Sequence, residues 1–192
     1  MMIFLRILVV LMVIISNSSP VEFPQKLDSG VLGIIFCDTS SVKKILGDSL
    51  NFIEEEYISV RHVNYVNEDT TELLILTQYP ASYEYDFHLV QIKYFDKSLK
   101  EYYKVLNNVK KIITNKGINL GITKKELTNI LGDDKTEEVK GDTTILEYKF
   151  NEINSKNNRE DFLRKCNLPI YYGRYKFFEN KLMYIEFGFE IP

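Results

Sequence analysis

The stretch Gly117-Ile-Asn-Leu-Gly-Ile-Thr-Lys-Lys-Glu-Leu-Thr-Asn-Ile-Leu-Gly132 reads as a short helix complete with its entry and its stop. Thr123 and Glu126 are spaced as a capping box: the Thr hydroxyl accepts from the N3 amide, and the Glu carboxylate reaches back to the Thr amide. Ile122, just before the cap, is placed to staple onto Leu127. Leu127, Ile130 and Leu131 form an apolar stripe at i, i+3 and i+4. Gly132 ends the helix in a left-handed conformation that glycine adopts cheaply. A helix of about two turns is marginal alone, so this one must be held by packing.

A second stretch repeats the pattern. Gly33-Ile-Ile-Phe-Cys-Asp-Thr-Ser-Ser-Val-Lys-Lys-Ile-Leu-Gly47 aligns with it at an offset of 84 positions at the first glycine and 85 at the last. Thr39 or Ser40 is expected to cap this copy, with Val42, Ile45 and Leu46 facing inward and Gly47 stopping it. The period is too long for a solenoid and suits two copies of a small α+β unit. Neither segment is a phosphate loop: no Gly-Lys-Ser/Thr follows and no G-x-G-x-x-G is present.

Strands are expected after each short helix. In the first half they are Tyr57 to Val66, Thr71 to Tyr79 and Tyr83 to Phe95, with turns at Asn67-Glu68-Asp69 and Tyr79-Pro80-Ala81. In the second half they are Glu137 to Lys140 and Thr143 to Phe150, flanking Gly141-Asp142, then Tyr171 to Phe178 and Leu182 to Phe189, flanking Glu179-Asn180-Lys181. Leu146, Tyr148 and Phe150 fall on one side of their strand. Met183, Ile185, Phe187 and Phe189 fall on one side of theirs, opposite Tyr184 and Glu186. This period of two means one buried face and one wet face. A longer helix is expected at 98–114, capped by Ser98 with Glu101 and carrying apolar residues at helical spacing. The polar run from Asn151 to Asn158 reads as a loop. The expected class is α+β, in two tandem units (19–96 and 97–192), each with short helices on one face of an antiparallel sheet.

Residues 1–18 read as a signal peptide. Arg6 supplies the positive charge, Ile7 to Ile15 is an unbroken apolar run, and Ser16 and Ser18 precede a cut before Ser19. The apolar stretch is short of the ~20 residues that span a bilayer. The chain of 192 residues is 45% hydrophobic and 27% charged, enough to build a core. Its net charge of −3 leaves no basic excess for phosphate, so nucleic acid is not an expected partner. The expectation is a periplasmic or secreted protein, without a stable membrane anchor after cleavage.

The Gly117–Gly132 segment resembles a motif of small exported bacterial α+β modules: those of the β-lactamase-inhibitor-protein-like fold and the SmpA/OmlA outer-membrane assembly lipoproteins. Tyr175-Lys-Phe177-Phe-Glu-Asn-Lys-Leu182 resembles their strand-turn-strand motif. Together the two motifs cover about a seventh of the mature chain. The resemblance implies duplicated units whose sheet surfaces grip a protein. Three departures stand out. Asp133 and Asp48 follow the last glycines where a Pro is usual, Cys37 replaces a glycine, and there is no Cys near the cut to carry a lipid.

Candidate chemistry is sparse. Cys37 and Cys166 are the only thiols, and in an exported chain they are read either as a disulfide or as two buried free thiols. His62 and His88 lack metal-ligand spacing, so no metal and no cofactor are expected. Glu54-Glu55-Glu56 and Asp133-Asp134 read as solvated carboxylates. No G-x-S-x-G elbow exists, and no catalytic residue is assigned. Tyr57, Arg61 and Tyr65 share one strand face, and Tyr172, Arg174 and Lys176 share another. Tyr and Arg anchor protein interfaces, so these six are the candidate binding residues. The expected function is non-catalytic binding of another protein, as an inhibitor or immunity-type binder of an envelope-acting protein. The alternatives are an envelope-assembly accessory, a hydrolase with a site built in the 151–166 insertion, or a carrier of a small ligand in the aromatic interior.

Overall fold

A computed structural model of the chain describes residues 28–54, 60–80, 82, 83, 85–98, 102–151, 163, 166, 168 and 170–190. The expected leader, Tyr57 and most of the 151–166 insertion lie outside them. The elements are β1 (Gly30–Val31), β2 (Ile34–Ile35), α1 (Thr39–Leu46), β3 (Ile53–Glu54), β4 (Arg61–Asn67), β5 (Glu72–Gln78), β6 (Leu89–Tyr94) and β7 (Lys104–Leu106). They continue with α2 (Lys124–Leu131), β8 (Thr136–Lys140), β9 (Thr143–Asn151), β10 (Ile170–Phe178) and β11 (Lys181–Phe189).

α2 forms as its sequence demands. Thr123 accepts from the Glu126 amide, Glu126 closes the box on the Thr123 amide, and Leu127 and Leu131 are buried. α1 is capped one residue earlier than expected, by Asp38, whose carboxylate accepts from the Ser40 and Ser41 amides at 3.1 and 3.4 Å. An ionised carboxylate is a stronger acceptor than the neighbouring hydroxyls and favours the positive helix end. Val42 faces inward, but Ile45 is 40% exposed. Both helices stop at glycines with φ of 85° whose amides bond back to Lys43 and Thr128.

The long helix expected at 98–114 is not formed. Asn107 and Asn108 favour a turn, and Asn108 takes a φ of 64°. β7 pairs parallel with β4, Tyr65 opposite Lys104. Beyond it the strap is tied to the β4–β5 hairpin. The buried Asn67 side chain donates to the Lys110 carbonyl (2.6 Å), and the buried Glu72 carboxylate accepts from the Ile112 amide (2.6 Å). These partners satisfy backbone groups that a helix would have satisfied internally.

Among the described residues, nine strands form one sheet in the order β3-β4-β5-β6-β11-β10-β9-β8, with β7 beside β4. The path pairs are antiparallel. β6 joins β11 through the register Ile92 opposite Ile185 and Val90 opposite Phe187. The two halves therefore share a sheet rather than each holding its own. β6 begins at Leu89, later than expected, because Tyr85, at a φ of 70°, breaks the extended backbone ahead of it.

One face of the sheet carries the core. Val63, Leu76, Val90, Phe187 and Tyr148 lie in one cross-strand row, and Tyr65, Leu74, Ile92, Ile185, Tyr175 and Leu146 in the next. Phe36, from the segment before α1, packs edge-on against Tyr171, Phe187 and Phe189 with ring centroids 5.4–6.4 Å apart. A β-bulge at Lys176/Phe177 sets Leu182 opposite Phe177 and leaves Met183 39% exposed. Met183 therefore does not share the buried side with Ile185, Phe187 and Phe189. A disulfide joins Cys37 to Cys166.

Asp28 opens the described chain inside this core. Burial pushes its carboxyl up to about 6 from 3.8, outweighing hydrogen bonds from Thr114 and Gly30. The folded state therefore holds this proton more tightly than the unfolded state. Its contribution is fully present below about pH 4 and is lost as pH rises through about 6, a swing of about 3 kcal/mol. Asp28→Asn is expected to remove that slope and to raise the urea midpoint above the wild type at about pH 8. Midpoints measured across the range check this, and an unchanged slope contradicts it.

Candidate functional site

The candidate site is the other face of the sheet, where the residues between the core positions point. Strand alternation brings Tyr172, Arg174 and Lys176 here, opposite the buried Tyr171, Tyr175 and Phe177. All three are half-buried, as residues on a wide sheet are when neighbouring strands flank them on both sides.

Arg174 lies between two carboxylates. Its register partners are Glu147 on β9 and Glu186 on β11. The guanidinium donates to Glu147 Oε2 from Nε (3.2 Å) and Nη2 (3.0 Å), and to Glu186 Oε1 from Nη1 (3.3 Å). The far oxygen of Glu186 accepts from Gln91 Nε2 at 2.8 Å and from the Tyr184 hydroxyl at 2.5 Å. Gln91 also donates to the Tyr184 oxygen at 2.7 Å. A polar row thus runs across four adjacent strands, from Glu147 through Arg174 and Glu186 to Gln91.

Rings and cations complete it. The Arg174 guanidinium is 5.6 Å from the Tyr172 ring centroid, and Lys176 Nζ lies 4.5 Å from that of Tyr184. Tyr184 stands between Lys176 and Lys93 in the register. Burial disfavours the Arg174 charge, but the hydrogen bond and charge of Glu147, with the charge of Glu186, outweigh it and hold its pKa above the ordinary value. Burial, and then Glu186, push the Tyr172 and Tyr184 hydroxyls well above theirs, so both stay protonated donors.

Arg61 and Tyr65, of the other candidate trio, are not on this face. Arg61 and Tyr65 share a side of β4, as their spacing requires, but it is the covered side. Tyr65 is 3% exposed and belongs to the core. Arg61 stacks on Phe52 at 4.7 Å and donates to Gln78 at 2.5 Å. Tyr57 lies outside the described residues. The single-strand pattern shows which residues share a face; it does not show which face is covered.

The committed guanidinium of Arg174 changes what its removal does. Arg174→Ala leaves Glu186, which is nearly buried, and Glu147, on the two flanking strands, without the cation between them. With the Arg side chain 40% exposed, solvent softens this, and a loss of about 1–2 kcal/mol in stability is expected. Chemical denaturation checks it; an unchanged midpoint would show the row to be energetically idle.

His88 stacks on Tyr79 with centroids 5.0 Å apart, accepts from the Tyr79 amide through Nδ1, and faces Asp86 at 3.6 Å through Nε2. Burial lowers its pKa against the pull of Asp86. Among the described residues no group of three His, Cys, Asp or Glu could hold a metal ion, and no helix is long and apolar enough to cross a membrane. No family model, curated protein or solved structure matches the chain.

Proposed function

We propose that the chain is an exported, non-catalytic protein-binding protein, and that it docks its partner on the open face of the sheet around Tyr172, Arg174, Lys176 and Tyr184. The observation that carries this reading is the polar row. Its side chains are fixed by one another before any partner arrives, so little conformational entropy is left to lose on binding. Rigid tyrosines beside an arginine on a flat, half-desolvated surface are what interface centres are made of. The disulfide is the kind of bond an oxidising compartment maintains, and it supports export together with the apolar leader.

The same reading treats the chain as two tandem α+β units. Three features support it. The helices precede their strands in the same order in each half, and the strand order is mirrored about the β6–β11 junction. The two helix-stop glycines share φ and ψ within a few degrees. Cys37, with a φ of 59°, occupies the place that Gly121, with a φ of 85°, holds in the other segment. The concrete form of the proposal is an inhibitor or immunity-type binder of an envelope-acting protein, the role implied by the motif resemblance. The test is capture from native envelope and secreted extracts on the immobilised mature chain. One stoichiometric protein partner is expected. No retained protein, at concentrations that keep a micromolar complex, would overturn the proposal.

A further inference from the structure

A half-open pocket of about 450 Å³ lies on the covered side of the sheet, away from the open face. Its walls are Leu32 from the turn between β1 and β2, Ile45 and Leu46 from the end of α1, Val109 from the strap, and Tyr65 and Lys104 from the paired strands β4 and β7. The volume is within the range of small-molecule sites.

Three features distinguish this pocket from a packing gap. Ile45, on an amphipathic helix, is 40% exposed at a position where helical spacing expects burial. Tyr65 is 3% exposed, yet its hydroxyl has no hydrogen-bond partner among the described residues. A buried polar group without a partner costs free energy that a ligand atom can return. Lys104 sits directly beside Tyr65 in the parallel register and also lines the pocket. Its ammonium spends one donor on the Ser49 carbonyl at 3.1 Å, so two of its three remain for other acceptors. The lining is thus mostly aliphatic, with a cation and a hydroxyl donor side by side within it.

We infer that this pocket binds a monoanionic aliphatic amphiphile, a medium-chain carboxylate, with its head held by Lys104 and Tyr65 and its chain along Leu32, Ile45, Leu46 and Val109. The charge at the head end selects an anion over a neutral alcohol. The aliphatic wall selects an alkyl chain over a sugar or a nucleotide. The inference does not rest on protein binding at the open face, and neither stands or falls with the other.

Decanoate is the probe, titrated below its micelle concentration into the mature, disulfide-intact protein with methyl-region NMR as the readout. Saturable shifts confined to the methyls of Leu32, Ile45, Leu46 and Val109 are expected. Lys104→Met is expected to weaken binding about tenfold or more, and Tyr65→Phe about fivefold. Tyr65→Phe removes a hydroxyl without a partner, so its thermal midpoint should equal or exceed that of the wild type. This keeps a lost affinity distinct from a lost fold. 1-Decanol should bind more weakly than decanoate. No saturable shift, shifts centred elsewhere, equal binding of the alcohol, or affinity unchanged in both variants would overturn the inference.

Discussion

Gly188→Ala is expected to cost more than about 4 kcal/mol of stability, the range reserved for substitutions that break the backbone arrangement itself. Gly188 lies in β11 opposite Leu89 of β6, at a φ of 153°. A Cβ built there would be 2.1 Å from the His88 carbonyl oxygen and 2.8 Å from the Leu89 Cα. That carbonyl cannot retreat freely, because it accepts from the Phe189 amide at 2.9 Å. The obstructing atoms are backbone rather than the end of a flexible side chain, so relief requires β6 and β11 to part. This pair is what joins the first-half strands to the second-half strands. Gly141→Ala is the control: φ is also positive, at 59°, but no heavy atom of the described residues lies within 4 Å of the added Cβ. Its cost should stay near 1 kcal/mol. Urea unfolding of the two variants decides the matter. Equal, small losses in both would mean that β6 and β11 do not approach at this point.

Removing the disulfide is the second large effect. Cys37 and Cys166 are 129 residues apart, and cross-linking so long a loop restricts the unfolded chain by about 5 kcal/mol in the chain-entropy description. The double variant Cys37→Ser, Cys166→Ser is expected to lose most of that amount, since both cysteines also pack against the core cluster. Comparing unfolding midpoints of the oxidised, reduced and doubly substituted proteins measures it. Two alkylatable thiols in the folded protein without reductant would contradict the bond outright.

The second half was the more legible in sequence, for local reasons. The capping box, the two-residue turn at Gly141-Asp142 and the alternation in β9 and β10 each depend on residues a few positions apart. The structure has them within one residue of their expected bounds. The 98–114 segment has helical periodicity without being a helix, because periodicity counts apolar residues and ignores competition from elsewhere. Asn67 and Glu72, over 30 positions away, supply the partners that hold this backbone as a strap.

The polar row was half legible. The alternation of β11 puts Glu186 and Tyr184 opposite its core side, but nothing local joins Glu186 to Arg174. The Glu179-Asn180 turn sets Phe178 opposite Lys181, and counting back from it would bring Arg174 to Ile185. The bulge that displaces Met183 moves the register by one and brings Glu186 to Arg174 instead. A bulge reflects packing on both faces at once, and a single strand's pattern does not contain it. Tyr65 shows the same limit: its spacing puts it on one face with Arg61, but that face, expected to be an open binding surface, is covered by α1 and the β1–β2 turn.

The central claim is that the open face is where a protein partner docks. The most direct measurement is calorimetric titration of the captured partner into Lys93→Glu, Lys176→Glu and into Val139→Glu. The first pair flanks Tyr184 on the open face, and Val139 is exposed on the edge strand β8. The account predicts at least a tenfold loss of affinity for the lysine variant, with an unchanged thermal midpoint, and wild-type affinity for the edge variant. Full affinity in the lysine variant, or a loss in the edge variant alone, would contradict it.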